Sequence, residues 1–128
     1  MRFDQMTIKL QKAFSSSQAL CSSAQQQALE CEHLLLSLFQ DFDGIALALA
    51  KRVGVDREQL LRELEEQIEK YPKVSGGGQV YLSQTLKDIV SKAEEEARKM
   101  KDEFLSAEHI LLAVSNYKKA NSVFRSLG

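Results

Sequence analysis

Residues 30–39 read ECEHLLLSLF, and residues 106–115 read SAEHILLAVS. A Glu-His pair leading into an apolar run thus occurs twice, 76 positions apart. One such pair suggests chemistry, whereas the same pair repeated suggests architecture. Sliding the chain by that offset aligns Thr7–Leu38 with Ser83–Val114 without a gap. Only seven of the 32 positions are identical, but they include Leu10/Leu86, Leu29/Leu105, Glu32/Glu108, His33/His109 and Leu35/Leu111. Two similar units with apolar faces most simply pack on each other about a pseudo-twofold axis, so the repeat is a packing device first.

Outward from the repeat, the apolar spacing is helical. Met6, Leu10, Ala13, Ser17, Cys21 and Ala24 recur every three or four residues on one helix face, with Thr7 placed to cap it. A second helix is predicted over about 31–40, with Leu34, Leu35, Leu38 and Phe39 as its buried stripe. A short third runs about 45–52 and stops near Gly54. Asp56-Arg-Glu-Gln59 resembles a capping box opening a helix with Leu60, Leu61, Leu64, Ile68 and Tyr71 inward. On its other face Glu58, Arg62, Glu66 and Lys70 form a ladder toward water.

Pro72 ends that helix, and Lys73 to Gln79, with Gly76-Gly77-Gly78, reads as a flexible connector. Residues 79–82 are expected to be extended. Ser83 caps a long helix with Leu86, Ile89, Val90, Ala93, Ala97 and Met100 inward; Ser106 caps another with Ile110, Leu111 and Val114. A last short helix is predicted from Asn121 to Leu127, closed by Gly128. No segment alternates long enough for a sheet, so the fold class is all-α. The organisation expected is one domain over 1–128, with repeat one at 7–71, a linker at 72–82 and repeat two at 83–128.

The totals exclude several functions. With 17 basic and 18 acidic side chains, the net charge of −1 offers nothing to hold a phosphate backbone, which argues against nucleic acid. The apolar runs are too short to span a bilayer, and MRFDQMTIKLQ lacks a secretory signal, so the expected location is cytoplasmic. Cys21 and Cys31 are read as packed free thiols. No HExxH or CxxC accompanies the two histidines, and zinc needs three or four convergent ligands. A metal site and a Cys-His nucleophile remain weaker alternatives to structural histidines that bond backbone or capping groups at their helix starts. The glycine run lacks a following Gly-Lys-Ser/Thr, so it is a hinge and not a phosphate cradle. No catalytic residues and no metal ligands are assigned.

Three pieces in order, MRFDQMTIKLQKAF (1–14), YPKVSGGGQVYLS (71–83) and DEFLSAEHILLAV (102–114), resemble the Clp amino-terminal repeat domain, over essentially the whole chain. Within it the chain looks most like the ClpB disaggregase branch. The resemblance implies a non-catalytic substrate-engaging module, monomeric in isolation, that captures unfolded or aggregated polypeptide. The longer parent would be a hexameric ATPase using ATP and magnesium and working with a DnaK-type chaperone system. It also implies a further helix after Gly128. The alternative is an adaptor-docking or regulatory domain of a ClpC- or ClpA-type unfoldase that serves a protease. The substrate-binding positions carried over are Thr7, Val90, Asp102 and Glu108, where capping and helix-dipole compensation are the competing roles. Lys92, Glu96 and His109 stand where some members are apolar, and Glu30-Cys31 replaces the usual hydroxyl residues at the second helix's start.

Overall fold

Helix entry is set by short polar side chains, and the computed structural model shows three of the expected caps at work, Thr7, Ser83 and Asp56, whereas Ser106 Oγ lies against His109 Nδ1. The structure describes residues 3–40, 48, 54, 56–75 and 78–116. A 3-10 turn at Phe3–Gln5 precedes α1 (Ile8–Ser23). There follow β1 (Ala28–Leu29), α2 (Cys31–Gln40), α3 (Arg57–Glu69), β2 (Tyr81–Leu82), α4 (Gln84–Lys99) and α5 (Ala107–Ser115). Thr7 Oγ1 accepts from Leu10 N at 3.2 Å, and Ser83 Oγ accepts from Leu86 N at 3.1 Å. Asp56 Oδ1 accepts from Glu58 N at 3.2 Å. Each cap satisfies a donor that the first helical turn leaves unpaired.

The chain is all-α apart from two-residue strands. β1 pairs with β2 in parallel, Ala28 opposite Tyr81 and Leu29 opposite Leu82, and Met6 bridges Leu105 in the same sense. These links correspond under the 76-residue offset. Thr7 N donates to the Leu105 carbonyl at 2.9 Å, and Ser83 N donates to the Leu29 carbonyl at 3.0 Å. α1 packs on α2, α2 on α3 and α4 on α5, while α2 also meets α4. Leu10, Leu29, Leu34, Leu35, Leu60, Leu64, Leu86, Ile89 and Ile110 are wholly buried in one core. Each such side chain contributes about 1.5–3 kcal/mol of transfer free energy.

Several expectations need correction. α2 is not striped: Cys31 to Phe39 is buried on every side, because α1 and α3 both cover it. Met6 is buried but lies before the cap, in the bridge to Leu105. Met100 is 55% exposed, because α4 ends at Lys99 and the chain turns away at Lys101, whose φ is 58°. Tyr71 lies beyond the end of α3. The connector is tied down on both sides of residues 76–77. Val74 N donates to the Gln25 carbonyl at 2.7 Å, and Tyr81 N to the Gln27 carbonyl at 3.0 Å. Gly54 does adopt a left-handed φ of 81°. Of the predicted helix at 45–52 only residue 48 is described, as helical, and the predicted helix at 121–127 lies outside the described residues, as do Gly76, Gly77 and Gly128.

Candidate functional site

The repeated Glu-His pair resolves into a capping device. Helices α1 and α4 both end with a left-handed residue, Gln25 (φ 59°) and Lys101 (φ 58°). The next amide reaches back into the helix: Gln26 N donates to the Cys21 carbonyl, and Asp102 N to the Ala97 carbonyl, each at 2.9 Å. This Schellman geometry is adopted without the usual glycine. Seven residues later comes the histidine. His33 Nδ1 accepts from Glu30 N, and His109 Nδ1 from Ser106 N, both at 2.9 Å. Histidine thus fills the place that Glu or Gln holds in the ordinary capping box.

A ring nitrogen that accepts from a backbone N–H is unprotonated, so each neutral imidazole carries its proton on Nε2. His33 Nε2 donates to Gln26 Oε1 at 2.7 Å, and His109 Nε2 donates to Asp102 Oδ2 at 2.8 Å. Each histidine therefore locks the end of one helix to the start of the next. Ser106 Oγ also lies 3.1 Å from His109 Nδ1, which gives a Ser-His-Asp line. It is no nucleophilic relay. The nitrogen that would accept the hydroxyl proton is already committed to the Ser106 backbone N–H.

The two halves differ in what covers this device. In the first, Tyr71 stacks over His33 with ring centroids 6.4 Å apart, and its hydroxyl donates to Glu32 Oε1 at 2.9 Å. Gln26 Nε2 donates to the Ile68 carbonyl at 2.6 Å. Burial pushes the Glu32 carboxyl up, partly offset by the Tyr71 hydrogen bond, and pushes His33 down. It also raises the Tyr71 hydroxyl, helped by the nearby Glu32 charge. In the second half Asp102, Glu103, Phe104, Glu108 and Leu112 are exposed.

Beside this open half lies a cleft of about 90 Å³. Met6, Ala97, Phe104 and Leu105 contribute its apolar walls. Glu94, Asp102 and Glu103 place three carboxylates around it against one guanidinium, Arg98. Of the positions carried over from the family, Asp102 is on the cleft. Thr7 adjoins it through its bond to Leu105, and Glu108 is exposed in the first turn of α5. Val90 is 3% exposed and lies in the core. His109 is buried as a cap, Lys92 is exposed, and Glu96 lies 3.8 Å from Lys99.

Residue-by-residue reading missed Gln26, Tyr71 and Phe104. The signal for Gln26 was available, since Gln26…His33 and Asp102…His109 share one spacing. Cys21 and Cys31 are free and buried, and burial raises both thiols, which makes them poor nucleophiles. Among the described residues no cluster of His, Cys, Asp or Glu is arranged to hold a metal ion, and no helix is long and apolar enough to cross a membrane.

Residues 5–127 match the family described as the Clp repeat N-terminal domain. The chaperone protein ClpB of Bacillus cereus is 37% identical over 132 residues, covering 99% of this chain. The chain spans about 15% of that relative's length. Among solved structures, the Hsp104 N-terminal domain of Candida albicans superposes with a TM-score of 0.83 at 18% identity, over 97% of this chain and 82% of that one. A ClpV N-domain in complex with a VipB peptide gives 0.80 at 16% identity, over 98% and 81%.

Proposed function

Since the chain belongs to the family of Clp repeat N-terminal domains, we propose that it is the non-catalytic polypeptide-engaging domain of a ClpB-type disaggregase. Its surface for unfolded chains is the open half around Thr7, Asp102 and Glu108. Val90 supports that surface from beneath. The longer protein would be a hexameric ATPase using ATP and magnesium, with a DnaK-type system as its partner.

One observation carries this reading: the same capping device is covered by Tyr71 in one half, while in the other the polar groups beside the buried His109 are exposed. Glu32 is 5% exposed under Tyr71, whereas Glu108, its counterpart, is exposed. Bare polar groups at helix entrances, next to exposed Phe104 and Leu112, can bond a passing backbone and cover apolar side chains. A ClpV N-domain of the same fold is seen with a VipB peptide. Contacts of this size give weak, broad affinity, which six copies on a ring would raise through avidity.

The test is a titration of the chain with reduced, permanently unfolded α-lactalbumin, followed by amide NMR shifts. Saturable shifts at Thr7, Asp102 and Glu108 are expected, and Glu108→Ala should weaken them. Unchanged spectra at millimolar ligand would refute the reading and favour the adaptor-docking alternative.

A further inference from the structure

The connector already shows how a length of chain sits on a helix-end loop of this protein. Residues 71–75 and 78–81 lie against the loop Gln25-Gln26-Gln27. Val74 N donates to the Gln25 carbonyl at 2.7 Å, and Gln26 Nε2 donates to the Tyr71 carbonyl at 3.3 Å. Gly78 lies so close that an added Cβ would clash with the Gln27 side-chain amide. The corresponding loop of the second half, Lys101-Asp102-Glu103, has the same left-handed turn and the same backward hydrogen bond. Yet all three of its residues are exposed, and among the described residues no backbone amide bonds the Lys101 carbonyl.

We propose that this bare loop and its adjoining cleft seat an extended peptide segment carrying a basic residue beside an aliphatic one. The proposal rests on the polypeptide-recognition reading and names the ligand chemistry. The Lys101 carbonyl accepts a backbone N–H, as Gln25 does from Val74. The apolar walls at Met6, Ala97 and Phe104 enclose room for about one aliphatic side chain. Charge sets the third contact. Where the first loop has the amides of Gln26 and Gln27, the second has the carboxylates of Asp102 and Glu103, with Glu94 nearby. An amide donor that suits a carbonyl becomes an acceptor that suits Arg or Lys. The connector itself would not fit, since its Tyr71 carbonyl would face a carboxylate.

The test uses the 128-residue chain and two dodecapeptides, one of repeating Gly-Leu-Arg and one with Glu replacing each Arg. The Arg peptide should shift the amides of Met6 and Lys101 to Leu105 saturably, and the Glu peptide should bind roughly tenfold weaker or worse. Asp102→Asn with Glu103→Gln keeps an acceptor for His109 and should cost the Arg peptide roughly three- to tenfold. Arg98→Gln, which removes the one cation among the cleft-lining residues and leaves Lys101 in the loop, should strengthen it. Equal affinity for both peptides, with shifts confined to Thr7 and Glu108, would overturn the proposed seat and leave polypeptide recognition standing. Absence of shifts with either peptide would overturn both.

Discussion

Replacing His33 with alanine tests the capping device where it is most deeply buried. Three losses follow from the geometry. Glu30 N loses its acceptor at 2.9 Å, a cap worth about 1 kcal/mol. Gln26 Oε1, in a side chain only 4% exposed, loses the Nε2–H donor at 2.7 Å, which costs about 1–3 kcal/mol if no water enters. The vacated ring leaves a hole against Tyr71, which adds about 1–2 kcal/mol. The total is about 4 kcal/mol, a large fraction of the roughly 5–15 kcal/mol that holds a domain together. His109→Ala loses the same cap and ring, but Asp102, whose side chain is 45% exposed, rehydrates freely. That variant should cost about 1–2 kcal/mol less. His33→Gln restores an acceptor of the capping-box type and should recover about 1 kcal/mol. Urea unfolding followed by circular dichroism measures all three. If His109→Ala proves as costly as His33→Ala, or if His33→Ala costs under about 1 kcal/mol, the bonds named here do not carry stability as described.

Three further outcomes follow. His33 sits below its ordinary value of 6.5, so below pH 6.5 the unfolded chain binds the extra proton first and stability falls with pH. Glu32, raised above 4.5, acts oppositely, gaining stability as pH falls through its raised value; His33→Gln should therefore remove the loss below pH 6.5 in urea midpoints and leave the gain. Leu36→Ala, at a site 3% exposed, should cost about 2–5 kcal/mol, while Leu112→Ala at the matching position, 39% exposed, should cost under about 1 kcal/mol by the same assay. Gln25→Gly and Lys101→Gly relieve left-handed backbone at φ 59° and 58°, and each should raise stability by up to about 1 kcal/mol in thermal unfolding.

Helix existence and caps were legible in the sequence because they depend on local chemistry. Thr7, Ser83 and Asp56 each accept from their own first turn, so no distant partner is needed. Even the histidine role could be read, since three residues separate each ring from its cap. What could not be read is contact between segments far apart in the chain. The full burial of α2 depends on α3, more than fifteen residues later, and periodicity measures only a helix's own face. Glycines at 76–78 signalled freedom, yet Val74 and Tyr81 bind Gln25 and Gln27 across about fifty residues. Asp102 was named as a site residue, but its hold on His109 and its place on a cleft with Phe104 required the fold.

On the proposed reading, the two glutamates divide a repeated motif between support and recognition. A carboxylate at the second position of a helix gains from the dipole in either half, so Glu32 and Glu108 start from the same local reason. Burial then adds a cost to Glu32, which the Tyr71 hydroxyl offsets at 2.9 Å. Glu108 carries no such cost, because water already solvates it, so its charge is available to a ligand without further desolvation of the core. Substitutions at the matched positions should therefore move different observables: Glu32 changes unfolding, Glu108 changes capture. A protein that used the motif only for packing would show the same kind of change, unfolding alone, at both.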